Sequence, residues 1–293
     1  MIKLIHRVTV EKILEYVDAK VESGCRIDIE SLAAYSGYSR RHLQRLFLAE
    51  TGVRLGKYIR CRRLNRAALL LRFSRRQYQD IALSVGFDSQ QSFNREFKRV
   101  TGMTPKAYRE KPEWILLPLS GSKRKKYVIP PPTVVWLSGG AVVGEEVVFY
   151  GTVDNLPDNP GIDAYLERIF GAEAKCQGEL WMVVHTSPLE HGQYHYWSVC
   201  GVGHPEARKG RVFTYCAGKY LKVEFETTRE THLERTHHLY LNILPERVDV
   251  IRSGEEIMVL RYEKDKVMCT LYIPVPGERK GCVIGQAAEA PEI

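Results

Sequence analysis

Along the first hundred or so residues, apolar positions return every three or four places. Leu43, Leu46 and Phe47 share one helical face, and so do Phe93 and Phe97. Each group follows a short apolar segment, Leu32-Ala33 or Ile81-Ala82. That segment ends at a glycine, Gly37 or Gly86, suited to the left-handed stop of a helix. A three- or four-residue turn then leads to Ser39 or Ser89, each placed to cap the next helix. Between these pairs the pattern predicts one long helix, Leu55 to Arg72. Beyond about residue 130 the period changes to two. Alternating β-branched and aromatic residues in Trp181–Thr186, Tyr194–Val199 and Val212–Cys216 predict strands.

The two helical segments are copies of one unit. Arg45 matches Arg95, Phe47 matches Phe97, Thr51-Gly52 matches Thr101-Gly102 and Tyr58 matches Tyr108, all 50 residues apart. Upstream, Ala33 and Ala82, and Gly37 and Gly86, are 49 apart, so Asp88 is an insertion in the second turn. The second helix of each copy has a polar, basic face. In the first copy it carries Arg40, Arg41, Gln44 and Arg45; in the second, Gln90, Gln91, Asn94, Arg95 and Lys98. This is helix-turn-helix grammar, in which the second helix lies in the DNA major groove. The residue types suit that place: Arg takes guanine O6 and N7 bidentately, and Gln or Asn does the same for adenine. The helix between the copies, with Lys57, Arg60, Arg62, Arg63 and Arg66, fixes the spacing of two readers in successive major grooves.

Charge sharpens the division. Residues 1–130 hold 27 Lys and Arg against 12 Asp and Glu, whereas residues 131–293 hold 16 against 23. The basic part suits a polyanion and the acidic part does not. The break falls where Pro112, Pro118, the run Lys123-Arg124-Lys125-Lys126 and Pro130-Pro131-Pro132 read as a linker. With 293 residues, 44% hydrophobic and 27% charged, the chain is long enough for two cores, and collagen-like, mucin-like and mostly disordered classes are excluded. No apolar run approaches the roughly 20 residues of a membrane span. The first residues, with Lys3, Arg7, Glu11 and Lys12, lack the pattern of a secretory signal. Seven irregularly spaced cysteines predict no disulfide framework and a reducing compartment, hence a cytoplasmic, nucleoid-associated protein.

Asp80-Ile81-Ala82, Val85-Gly86-Phe87, Ser89, Phe93, Phe97-Lys98, Gly102, Thr104-Pro105 and Tyr108-Arg109 resemble the DNA-binding domain of AraC/XylS-type transcription regulators, over about residues 8–112. The resemblance implies a monomeric activator of stress, efflux or multidrug-resistance promoters, working through RNA polymerase. Most of that family place the reader last; here it comes first, as in a subset that resembles this chain further in Gly37-Tyr38-Ser39, His42-Leu43-Gln44-Arg45 and Phe87-Asp88-Ser89-Gln90-Gln91. Arg41 stands where those relatives carry Trp.

The acidic part reads as α+β: strand Val134–Val143, helix Ile162–Phe170, strands Leu180–Thr186 and Tyr194–Val199, strand Val212–Cys216 with Tyr220–Phe225, helix Glu230–Leu244, and strands Ile257–Tyr262 and Val267–Ile273. This order gives two βαββ-type halves. Gly218-Lys219-Tyr220 with Val223 and Phe225, and Leu271-Tyr272-Ile273-Pro274-Val275, are similar to the gyrase-inhibitor-like (GyrI-like) domain. That resemblance implies a cleft for small apolar or cationic molecules. Trp136, Trp181, Tyr196, Trp197, Tyr215 and Tyr220 are the aromatic candidates to line it. Thr270 stands where such domains commonly place a glutamate, with Glu224 or Glu226 as replacements. The group Glu190, His191, His195, Cys200 and His204 matches no standard zinc spacing, and no metal or cofactor is expected. No nucleophile triad, P-loop or GxGxxG motif occurs, so an enzyme is not expected.

The expected fold is therefore multidomain. An all-α domain (1–112) with two helix-turn-helix units joined by a long helix is followed by a linker (113–127), an α+β GyrI-like domain (128–276) and a tail (277–293). The expected function is sequence-specific transcription regulation on double-stranded promoter DNA, with an effector or partner sensed by the second domain. A repressor, a nucleoid-type DNA-binding protein with a docking module and, less favoured, a small-molecule-processing enzyme remain open readings.

Overall fold

A computed structural model describes residues 2–111, 127–152, 161–172, 174, 178–189, 196–244, 254–263 and 266–276. Seven helices come first: α1 (Ile2–Glu22), α2 (Ile29–Ser36), α3 (Arg40–Thr51), α4 (Leu55–Phe73), α5 (Tyr78–Ser84), α6 (Gln90–Thr101) and α7 (Pro105–Glu110). A sheet-rich region follows: β1 (Thr133–Gly151), α8 (Ile162–Phe170), β2 (Glu179–Pro188), β3 (Tyr196–His204), β4 (Arg211–Thr227), α9 (His232–His238, extended by a π-turn to Ile243), β5 (Glu256–Tyr262) and β6 (Val267–Pro274).

The duplicated grammar reappears as duplicated contacts. Ser39 Oγ accepts the His42 amide at 3.4 Å, and Ser89 Oγ accepts the Ser92 amide at 3.2 Å, capping α3 and α6. Both helices stop at a left-handed glycine, Gly52 (φ 71°) and Gly102 (φ 75°). Thr51 and Thr101 each fold a hydroxyl back onto the turn that follows. The predicted apolar faces are buried. Leu43, Leu46 and Phe47 pack with Ile13, Val17, Leu32 and Tyr58. Phe93 and Phe97 pack with Leu64, Leu71, Ile81 and Tyr108.

Helix α4 joins the two units, and its basic residues divide between two roles. Arg62 is buried, with Nε 2.9 Å from Asp18 Oδ1, and the Tyr58 hydroxyl donates to the same oxygen at 3.1 Å. This pair ties α1 to α4. The Arg63 guanidinium donates to the Val85 and Gly86 carbonyls and lies over the Phe87 ring at 4.5 Å, pinning the second turn. Lys57 and Arg60 are exposed.

The six strands among the described residues form a closed antiparallel barrel in the order β1-β3-β2-β5-β6-β4. The chain order runs strand-helix-strand-strand twice, and the barrel order is the same for both halves: β1-β3-β2 and β4-β6-β5. The halves meet along β1–β4 and β2–β5. Two predicted strands run further than expected. The strand predicted to end at Val143 continues to Gly151, pairing with β4 up to Gly144 and with β3 from Val143 onward. At the changeover Gly144 faces Gly203 so closely that a Cβ there would sit 2.0 Å from the Val202 carbonyl oxygen. The segments Val212–Cys216 and Tyr220–Phe225 are one strand, β4. Cys216 is disulfide-bonded, which the irregular cysteine spacing did not anticipate; Cys25, Cys61, Cys200 and Cys269 form no disulfide.

The helix-facing side of the barrel presents Met182, Val184, Cys200, Val202, Leu271 and neighbours to α8 and α9. That core is continuous with the core of α4, α5 and α6. Alternation sends Trp181, Tyr215, Tyr220, Ile257, Val259 and Tyr272 to the other face, where they form a separate cluster.

Candidate nucleic-acid interface

A groove of about 970 Å³ opens between the two helix-turn-helix units. Arg41, Gln44, Arg45 and Leu48 of α3 form one wall, and Arg99 and Val100 of α6 the other. Its floor is Arg54, Lys57, Arg60 and Cys61, at the start of α4. Among the described residues, six cations line it and no carboxylate does. Two of the six are compensated from behind. Glu96 lies 3.3 Å from Arg60 and 2.7 Å from Arg99, and the Arg99 hydrogen bond, with the Arg60 charge adding, holds its carboxyl below the ordinary range. Arg41, Arg45, Arg54 and Lys57 make no ion pair among the described residues, and they leave the groove electropositive.

The predicted DNA-contacting residues fall in three groups. Arg41, Gln44 and Arg45 are exposed in the groove wall. Gln91, Arg95 and Lys98 are exposed along α6, with Gln90 and Asn94 half-buried beside them. Asn94 Oδ1 is buried without a partner among the described residues. Ser39 and Ser89 act as caps, and Arg40 pairs with Glu30 at 2.6 Å. Four groove cations were not singled out as DNA contacts: Arg54, Lys57, Arg60 and Arg99. The first three recur every third residue, the spacing that places side chains on one helix face.

The predicted ligand-lining aromatics are divided between the two faces of the sheet. Trp181, Tyr215 and Tyr220 share the cluster on the face turned away from the helices. Trp136 is 68% exposed and Trp197 is buried. Tyr196 alone of the six lines a cavity on the helix-facing side. Thr270 is buried and donates to Glu224 Oε1 at 3.2 Å, but Glu224 also pairs with Lys222 at 3.1 Å and is half-exposed. Of the histidine-rich group, Glu190, His191 and His195 lie outside the described residues, as do Tyr194 and most of the predicted linker and tail.

Two capped reading helices flanking a carboxylate-free basic groove define a tandem helix-turn-helix DNA-binding protein. Comparison with known proteins agrees. A family model described as "Helix-turn-helix domain" matches residues 32–111. The F1 operon positive regulatory protein of Yersinia pestis is 37% identical over 93% of this chain and 89% of its own length. The right origin-binding protein of Escherichia coli K12 is 37% identical over 45% of this chain and 46% of its own. The regulatory protein SoxS of Salmonella typhimurium is 41% identical over 36% of this chain and 97% of its own. A solved AraC-type transcriptional regulator from Chromobacterium violaceum is 30% identical over 36% of this chain and 96% of that one, with a TM-score of 0.33. The chain belongs to the AraC/XylS-type family of transcription regulators. Among the described residues no helix is long and apolar enough to cross a membrane.

Proposed function

We propose that this chain is a promoter-bound activator whose sheet region is a GyrI-like effector domain. Helices α3 and α6 read successive major grooves of an asymmetric site, and a single chain carries both readers, so a monomer suffices. Arg41, Gln44, Arg45, Gln91 and Arg95 make base contacts, while Arg54 and Lys57 hold phosphates. Activation proceeds by contact with RNA polymerase at promoters of the stress, efflux or multidrug-resistance kind. The observation that carries the activating sign is likeness along nearly the whole chain to a protein named a positive regulator. The doubled strand-helix-strand-strand order supports the effector reading of the sheet region.

The test is transcription in vitro with purified polymerase on a template carrying the site selected by this protein. Activation is a rise in full-length transcript that Arg45→Ala abolishes. A fall in transcript on the same template overturns the activating sign and makes the protein a repressor.

A further inference from the structure

On the helix-facing side of the barrel lies a cavity of about 180 Å³. Its walls come from both parts of the molecule. Leu69 and Phe73, in the last turns of α4, close one side. Tyr196, Val184 and Met258 of the strands, Tyr165 of α8, and His232 and His237 of α9 form the rest. The junction is closely made: the Phe73 and Tyr196 rings lie 5.6 Å apart, and Ser74 forms a backbone bridge with Leu189. Among the described residues the lining is mostly apolar, with one carboxylate and no Lys or Arg. That carboxylate, Glu256, is 7% exposed and accepts a hydrogen bond from the Tyr240 hydroxyl. Burial lowers the pKa of His232 to about 4, and burial with the nearby Arg62 charge lowers that of His237 to about 4, so both are neutral near pH 7. His232 Nε2 meets the Tyr165 hydroxyl at 3.0 Å, whereas its buried Nδ1 has no partner among the described residues.

Resting on the effector reading above, we infer that this junctional cavity is a binding site for a small aromatic molecule, neutral or carrying one ammonium group, that bridges α4 and the barrel. The aromatic walls and the volume set the size, since a cavity of roughly 150 Å³ holds one benzene ring. Glu256 sets the charge: it attracts a cation and repels an anion in a water-poor site. The unmet His232 nitrogen offers one hydrogen bond to the ligand. The site is distinct from the Trp181–Tyr215–Tyr220 cluster on the opposite face of the sheet. Because α4 spaces the two readers, a molecule held in the cavity against Leu69 and Phe73 acts on the element that sets their separation, and ligand and DNA affinities are linked reciprocally.

Isothermal titration of the full chain with three probes that differ in charge tests this: tryptamine, 3-methylindole and indole-3-acetate. Tryptamine and 3-methylindole bind, and indole-3-acetate binds at least about tenfold more weakly than tryptamine. Phe73→Ala weakens both binders about tenfold or more, and Leu69→Ala, a milder change at the same wall, weakens them in the same direction. Glu256→Gln weakens tryptamine and spares 3-methylindole. Absence of binding by all three overturns the inference, as does equal binding by all three. Binding that survives Phe73→Ala and Leu69→Ala but is lost in Tyr215→Ala also overturns it, moving the site to the opposite face and leaving the effector reading intact. Duplex binding by the same samples reports separately on the DNA-reading proposal.

Discussion

Lys57 and Arg62 stand five residues apart on one basic helix, and the structure assigns them opposite work. Lys57 lines the open groove. Arg62 is 5% exposed and is paired with Asp18. Replacing each by Ala separates electrostatics of DNA binding from stability. Of the four groove cations without an ion pair among the described residues, Arg54 and Lys57 are the two that hold phosphates in the proposed complex. Each phosphate neutralised contributes about −0.9 to the slope of log affinity against log salt, so these two contribute about −1.8. Between about 50 and 200 mM salt that share alone weakens binding about 12-fold, and Lys57→Ala reduces it to about 3.5-fold. Its melting temperature stays near that of the parent, because an exposed lysine is being removed. Arg62→Ala leaves a buried Asp18 carboxylate without its guanidinium, which costs about 3–5 kcal/mol and appears as a large fall in melting temperature. Measured under conditions where it is folded, it keeps the parent salt slope. The assay is fluorescence anisotropy on the selected duplex across a salt series, with calorimetric melting of the same samples. The reasoning is refuted if Lys57→Ala leaves the slope unchanged, or if Arg62→Ala lowers it by about one unit without loss of stability.

Three further outcomes follow from particular contacts. Ser39→Ala and Ser89→Ala each lose a cap and about 1 kcal/mol in chemical denaturation, whereas Ser→Gly at either position loses only a few tenths; equal stability of the Ala variants and the parent would refute the capping role. Phe97→Ala opens a cavity in the second unit's core and costs about 3–5 kcal/mol, read as a lower denaturation midpoint; an unchanged midpoint would contradict its burial. His232 is held neutral by burial, with a folded pKa of about 4 against an ordinary 6.5. Its contribution is complete above about pH 6.5 and is lost as pH falls toward 4, by roughly 3 kcal/mol at most. His232→Gln therefore flattens stability against pH in that window, and an identical profile would refute the assignment.

Much of the reader was legible because its signals are local. A capping serine, a left-handed glycine and an apolar spacing of three or four lie within a dozen residues, and the second copy repeats them. Helix α8 falls on its predicted limits, Ile162 and Phe170, for the same reason. What escaped depends on distant partners. β1 runs past Val143 because Gly144, a turn signal by composition, lets two strands approach closely at Gly203. Arg62 and Arg63 carry the same basic signal as Lys57, and only the arrival of Asp18 and of the Val85–Gly86 carbonyls separates them. Alternation predicted that Trp181 and Tyr196 lie on strands, but not which face would receive the helices. The junctional cavity draws Phe73 and Tyr196 together across 123 positions of sequence, a pairing no local pattern encodes.

The central claim is that one chain reads DNA through two joined helices. Selection of bound sequences from a random duplex pool by the full-length protein, at physiological salt, tests it most directly. The account predicts one asymmetric consensus with two informative segments about one helical turn apart, and loss of information in a single segment for Arg45→Ala and in the other for Arg95→Ala. A palindromic consensus, or a single informative segment unaffected by either substitution, would contradict it.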